Sequence, residues 1–469
     1  MGAAAAEGGR FRVTYVDTLF LALFLPFAAI LRCAIIPVRL REWVIIAASL
    51  IFLASWGHVS LLVFLGVIAV NFAATIGMER VGERASRYLL AATIAGDFLA
   101  LGYFKYFNFF VDSFNGVART TLVHQDLALP LAISFYTFHL VSYLIDLQGR
   151  RVRRAGVREY LFYVTYFPHL VAGPIVRAWQ FFPQIGERRG IQSDLPLGLY
   201  QVASGIFLKS IVADNIAQLI DPIWDGTATF VPSGVDHLAV AALYYCQIYA
   251  DFAGYSLIAI GMSRLLGYRL PPNFRQPMFA SSLQDFWRRW NVTLSRWLRD
   301  YLYRPLGGNR AGRWRTGVNI MATMLLGGLW HGAGWTFVIW GAMHGAGIVS
   351  ERILGLNRRR GVVRAGWFLA TQLWVTFAWI FFRAPDLHRA LTFISAMADR
   401  SPSGFVIHPA IRLGAGFGLG ALVHQAYERG IVRLPRRWIP GALGATTALA
   451  GVADLVILAP SKVFIYFKF

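Results

Sequence analysis

The chain has 469 residues, of which 57% are hydrophobic and only 15% charged, with a mean hydropathy of +0.51. That balance excludes a soluble globular protein of this length and defines an all-α polytopic membrane protein. The formal net charge of +21 does not mark a nucleic-acid binder, because no soluble module with a contiguous basic face interrupts the apolar pattern.

In chain order, apolar stretches approach spanning length at Val16 to Ile36, Trp43 to Trp56, Val59 to Gly77, Tyr88 to Phe110, Leu127 to Leu147 and Tyr160 to Val176. They continue at Leu195 to Ile220, Leu238 to Leu266, Val318 to Trp330, Trp335 to Ile353, Trp367 to Phe382, Ile411 to Tyr427 and Gly441 to Pro460. Judged against the ~20 residues that a bilayer core requires, they amount to about 11 transmembrane helices, with the rest re-entrant or interfacial. The arginines fall in alternate loops: Arg39 and Arg41; Arg80, Arg84 and Arg87; Arg150, Arg151, Arg153, Arg154 and Arg158. Later, Arg358, Arg359, Arg360 and Arg364 precede a weakly basic loop and then Arg429, Arg433, Arg436 and Arg437. By the positive-inside rule these loops are cytoplasmic, which places the N-terminus outside. Cys33 and Cys246 sit in apolar surroundings and read as packing residues, with no disulfide framework. The N-terminal Met-Gly-Ala-Ala-Ala-Ala lacks the hydroxyl residue of a myristoylation signal, and the first apolar segment reads as a retained helix. No linker or internal repeat appears, so residues 1–469 form a single membrane domain.

The most unusual part is the basic, tryptophan-rich stretch 264–315, expected on the cytoplasmic side. Between Leu283 and Tyr303 the residues Phe286, Trp287, Trp290, Leu294, Trp297, Leu298 and Tyr301 recur at helical spacing, which predicts one amphipathic helix lying at, or dipping into, the inner interface. From Arg315 to His331 is ~24 Å of helix at 1.5 Å per residue, short of a full span with its headgroups. The next segment begins at Trp335, so a hairpin with the buried turn His331-Gly-Ala-Gly334 follows. Irregular backbone at that depth must be packed in protein or line a wet cavity.

An imidazole in so apolar a stretch is a candidate for function before packing. His331 is therefore the leading catalytic candidate. His344 either shares its cavity or bonds a carbonyl. His139 and His169 read as helix-packing residues. Asp251 is an intramembrane carboxylate that needs a partner, for which a nearby arginine or a backbone amide is expected. Arg288, Arg289, Arg296 and Arg299 either snorkel to lipid headgroups or bind the phosphates of a cytoplasmic donor. No histidine pair has zinc-helix spacing, so a metal centre is not expected. Gly254-Tyr-Ser256 lacks the second glycine of a serine nucleophile elbow.

Phe286-Trp-Arg-Arg-Trp-Asn-Val-Thr-Leu-Ser-Arg-Trp-Leu-Arg-Asp300, Gly327-Gly-Leu-Trp-His-Gly332, Trp340-Gly-Ala-Met-His-Gly345 and Phe464-Ile-Tyr-Phe-Lys-Phe469 together resemble the membrane-bound O-acyltransferases, in particular the bacterial alginate O-acetyltransferase branch. Ser134-Phe-Tyr-Thr-Phe138, Phe167-Pro-His-Leu-Val-Ala-Gly-Pro-Ile-Val-Arg177 and Pro271-Pro-Asn-Phe274 extend the likeness from about Leu127 to the end. The family's signature histidine falls on His331 and its second polar position on Asn291, where the alginate branch commonly has histidine. Asp251-Phe-Ala-Gly-Tyr-Ser256 looks more like the D-alanyl transferases of teichoic acids.

The resemblance implies a tunnel open to both sides, with residues 127–350 as its catalytic core. An acyl thioester donor, acetyl-CoA or an acyl-carrier thioester, enters from the cytoplasm, and no cofactor is permanently bound. The acceptor is a hydroxyl of an exported polysaccharide or envelope glycan, reached directly or through a periplasmic acyltransferase partner, in a bacterial inner membrane. His331 would take the acceptor proton and Asn291 would orient it or donate to the oxyanion. Trp287, Trp290, Trp330, His344, Arg288 and Arg289 are the expected substrate-binding residues. D-alanyl or longer-chain acyl transfer is one alternative; a transporter without chemistry is the other, and the missing repeats count against it.

Overall fold

The computed structural model describes residues 18–32, 36–170, 173–186, 195–310, 312–356, 361–399 and 409–428. Among them every regular element is a helix and none is a strand. Three helices are long and apolar enough to cross a bilayer: His58–Arg80, Leu195–Asp225 and Ala365–Arg383. Cys33, the arginines from Arg429 onward, the segment Gly441 to Pro460 and the Phe464 to Phe469 motif lie outside the described residues.

The chain divides into two compact units, one of Met1–Leu199 with Ala259–Pro271 and one of Tyr200–Ile258 with Pro272–Phe469. The first unit opens with α1 (Thr18–Arg32), α2 (Val38–Ala54), α3 (His58–Arg80) and α4 (Glu83–Leu101), which passes through a π turn into α5 (Phe107–Ala118). Leu62, Val70 and Leu99 are 62–73% exposed on these helices, the pattern of side chains whose solvent is hydrocarbon rather than water. Polar groups turn inward and pair, because an unpaired one in lipid is costly: Asn71 Nδ2 donates to Asp97 Oδ1 at 2.7 Å, and the buried Glu42 meets Arg158 and accepts from the Gly186 amide.

α6 (Ile133–Gln148) is followed by α7 (Val157–Thr165), α8 (Phe167–Leu170) and α9 (Ala178–Phe181). The stretch Tyr160 to Val176, expected as one span, is thus broken. Pro168 cannot extend a helix, and the backbone folds so tightly that a Cβ on Gly173 would meet His169 Cα and Pro168 O at 2.5 Å each. Here both histidines serve the irregular backbone: His139 Nε2 accepts from the Val176 amide at 3.1 Å and His169 Nε2 donates to the Tyr163 carbonyl at 2.8 Å. Their rings lie 4.6 Å apart.

The second unit takes up α10 (Leu195–Ile206) from Tyr200, a π segment Phe207–Ala213, α11 (Asp214–Asp225) and α12 (Gly234–Leu265) as far as Ile258. Asp251 on α12 is paired with Lys209 at 2.8 Å, and Lys209 also meets Asp214 at 2.7 Å. Its charged partner is thus a lysine from the π segment rather than an arginine. The approach that allows it is made by glycines: a Cβ on Gly254 would meet Lys209 N at 3.0 Å, and one on Gly205 the Gly254 carbonyl at 2.6 Å. After α13 (Leu283–Arg289) and α14 (Val292–Leu298) come the paired helices α15 (Gly312–His331) and α16 (Trp335–Leu354), then α17 (Gly361–Arg383), α18 (Leu387–Ala396) and α19 (Pro409–Glu428).

Candidate active site

The single amphipathic helix expected over Leu283 to Tyr303 is two short helices, α13 and α14, followed by a π turn. Asn291 makes the break. It stands at φ 38°, ψ 56°, left-handed backbone that asparagine tolerates better than most residues. Asn273 splints the restart: its carbonyl accepts from the Val292 amide at 2.8 Å and its Oδ1 from the Thr293 hydroxyl at 2.9 Å. The break also turns the segment inward, with Phe286, Trp290 and Leu294 completely buried. Its apolar face is thus packed within the protein, while Arg288 stays exposed.

The N-terminus of α13 is fixed at two levels. Ser282 caps it by accepting from the Asp285 amide at 3.0 Å. Glu351, wholly buried on α16, accepts from the Leu283 amide at 2.8 Å, the Gln284 amide at 3.0 Å and Trp367 Nε1 at 2.7 Å. A carboxylate at a helix N-terminus satisfies amides that the helix itself leaves open, so Glu351 ties α13, α16 and α17 together.

The hairpin at His331 is as expected, with α15 ending on that residue and α16 starting at Trp335. Small residues let the two helices touch at backbone distance. A Cβ on Gly328 would strike the Phe337 carbonyl, and one on Gly341 the Met324 carbonyl. Gly332 lies against the Phe337 ring, where any side chain would collide.

His331 is 3% exposed. Its ring is edge-on to Trp330 at 4.9 Å, Trp340 at 5.1 Å and Phe382 at 5.4 Å. From Trp340 the contacts continue to His344 at 4.8 Å, Trp379 at 5.6 Å and Trp287 at 5.6 Å, and from Trp379 to Trp290 at 4.9 Å. His331, Trp330, Trp287, Trp290 and His344, scattered over α13, α15 and α16, are therefore brought into one ring network, with Asn291 the chain neighbour of Trp290. Arg288 and Arg289 do not join it: Arg288 is exposed, and Arg289 is held by Asp285 at 2.9 Å and bonds the Arg275 carbonyl.

Trp340, Trp379, Asn273 and Glu351 were not singled out by spacing or charge. Glu351 carried the clearest signal, an acidic residue closing an apolar helix. Among the described residues no group of three histidine, cysteine, aspartate or glutamate side chains could hold a metal. What the network offers is two buried imidazoles and several indole N–H groups, which are the parts of general-base and hydrogen-bond catalysis.

This architecture defines a helical membrane protein with a buried histidine at a helical hairpin. The profile of the membrane-bound O-acyltransferase family matches residues 112–387, and the chain belongs to that family. It is an integral membrane acyltransferase. It is 39% identical over 395 residues to the probable alginate O-acetylase AlgI of Pseudomonas aeruginosa, covering 82% of this chain and 75% of that one. The peptidoglycan O-acetyltransferase of Helicobacter pylori is 33% identical over 82% of this chain and 80% of its own. The teichoic acid D-alanyltransferase of Streptococcus thermophilus is 26% identical over 54% of this chain and 66% of its own.

Proposed function

We propose that this acyltransferase moves an acetyl group from a cytoplasmic thioester to hydroxyls of an exported polysaccharide or other envelope glycan, directly or through a periplasmic partner. It would do so in a bacterial inner membrane, with about 11 spanning helices around a tunnel and the N-terminus outside. The observation that carries the chemistry is His331, a buried imidazole on the last turn of α15 inside a network of aromatic rings. The glycan acceptor is supported by relatives that are 33% and 39% identical over the aligned residues and carry the names of alginate and peptidoglycan O-acetylating enzymes.

In this reading the acceptor hydroxyl attacks the thioester carbonyl while His331 takes its proton. The tetrahedral intermediate collapses by breaking the carbon–sulfur bond, and the proton passes from His331 to the leaving thiolate. Asn291 orients the imidazole or stabilises the oxyanion. The membrane keeps competing water from the thioester.

His331→Ala tests the assignment: the protein should accumulate in the membrane while mass spectrometry finds no acetyl on the exported glycan. Normal acetylation in that strain rejects His331 as the base. D-alanyl transfer is the second reading, favoured by the Asp251 to Ser256 sequence and by the more distant D-alanyltransferase relatives. Envelope from a deletion strain that loses ester-linked D-alanine rather than acetate would select it.

A further inference from the structure

The chemistry given to His331 leaves the second imidazole of the network, His344, without a role. It is completely buried, its ring parallel to Phe286 at 5.8 Å and edge-on to Trp287 at 5.2 Å. Trp287 Nε1 donates to His344 Nδ1 at 3.3 Å. An indole nitrogen can only donate. Nδ1 of His344 is therefore the acceptor, and the ring proton sits on Nε2, because the bond made by one ring nitrogen fixes the state of the other.

That Nε2 is buried and meets no hydrogen-bond partner among the described residues. Nε1 of Trp340 shares the condition, and its ring touches both His344 and His331. Buried donors in proteins are nearly always satisfied, so such groups need an explanation. Both groups are N–H donors. Donors of this kind fit an oxygen that can only accept and that gains negative charge.

We propose that His344, locked by Trp287 as the Nε2–H tautomer, donates to the acyl carbonyl oxygen of the thioester as it becomes the oxyanion, with Trp340 Nε1 as the neighbouring donor. The proposal rests on the reading of His331 as the base. The new oxygen–carbon bond forms as the acceptor proton goes to His331, the carbon–sulfur bond breaks as that proton goes to the thiolate, and His344 keeps its own proton throughout. Trp287 acts through His344 and is a positioning residue.

Two measurements test this. Nitrogen NMR of the full chain in lipid, with labelled histidine, should show His344 protonated on Nε2, and Trp287→Phe should release that preference. A wild-type signal from the Nδ1–H tautomer overturns the proposal whatever the activity. In membranes supplied with acetyl-labelled acetyl-CoA, or by acetate content of the glycan in cells, His344→Met should lower kcat by about 10²–10³, the loss typical of one oxyanion donor, with KM nearly unchanged. His344→Gln, which places an amide N–H near the position of Nε2, should recover much of that loss. Equal loss in His344→Met and His344→Gln, with lowered thermal stability, makes His344 a packing residue. Full activity in His331→Ala beside an inactive His344→Met removes the base and leaves the donor standing.

Discussion

The clearest physical consequence of this architecture lies in the glycines between α15 and α16. A Cβ on Gly341 would meet the Met324 carbonyl, with Met324 C at 3.1 Å and Leu325 Cα at 3.2 Å. All three atoms are backbone and cannot rotate aside, so Gly341→Ala must push α15 away. Forced overpacking costs ~1–3 kcal/mol, offset by up to ~1 kcal/mol of helix propensity gained on replacing glycine. Stability should therefore fall by no more than ~3 kcal/mol, and the protein should still fold. Activity should suffer as well even where the protein stays folded, because α15 carries the proposed base His331 on its last turn and a 1 Å displacement of a catalytic group costs ~10²-fold. Gly345→Ala should be milder, since the nearest obstacle is the flexible Met321 Sδ at 2.8 Å. Gly66→Ala and Gly366→Ala are the controls, as nothing lies within 4 Å of a Cβ there. Thermal unfolding in detergent and acetate content of the glycan give the two readouts. If Gly341→Ala is as active and as stable as Gly66→Ala, the close packing of the hairpin does not position the site.

Asn291→Gly should keep the fold, because glycine accepts left-handed backbone freely, yet lose activity with the amide; Asn291→Ala should lose both, with ~1–2 kcal/mol of backbone strain added. Comparing the thermal stability of the two variants separates the backbone role from the side-chain role, and equal stability refutes it. Lys209→Met leaves Asp214 and Asp251 without their shared cation and should destabilise the protein by ~3–5 kcal/mol. Replacing all three by Met, Asn and Asn should restore most of that loss in the same melt, and failure to do so means the ion cluster is not what holds the π segment to α12. Glu351→Ala removes the acceptor for two amides and the Trp367 indole, so proteolysis within 281–290 should accelerate and activity fall; unchanged cleavage would show that Ser282 alone suffices to cap α13.

The membrane class and the hairpin at His331 were legible in the sequence, because the apolar content sets the first and the short apolar run between Arg315 and Trp335 sets the second. The partition of Leu283 to Tyr303 was not. Its apolar residues recur at helical spacing on both sides of Asn291, and periodicity is blind to one residue adopting left-handed backbone. The break depends on Asn273, whose carbonyl and side chain serve Val292 and Thr293 across the fold. Asp251 shows a similar limit: sequence demands a partner for a buried carboxylate but does not choose among cations, and Lys209 reaches it through a π segment and two glycines. Trp379 was invisible, and Trp340 was given no role of its own, for another reason, since a tryptophan in a membrane helix is ordinary until its neighbours are known.

The placement of charge in the second unit bears on how the site works. Lys209, Asp214 and Asp251 satisfy one another, Arg289 is matched by Asp285, and Glu351 is occupied by N–H groups. The rings around His331 contribute no carboxylate or guanidinium. In the proposed mechanism, moving a proton onto His331 while a carbonyl oxygen becomes negative would separate charge in a medium of low dielectric, where it is costly unless dipoles already point at it. Flexible donors would have to be ordered during the reaction. Under that proposal, indoles held in mutual ring contact, a histidine fixed by Trp287 and helices touching through glycine would meet that requirement before substrate arrives. The same rigidity explains why a single methyl group at Gly341, remote in sequence from Trp287 and Trp290, is expected to disturb the chemistry as well as the fold.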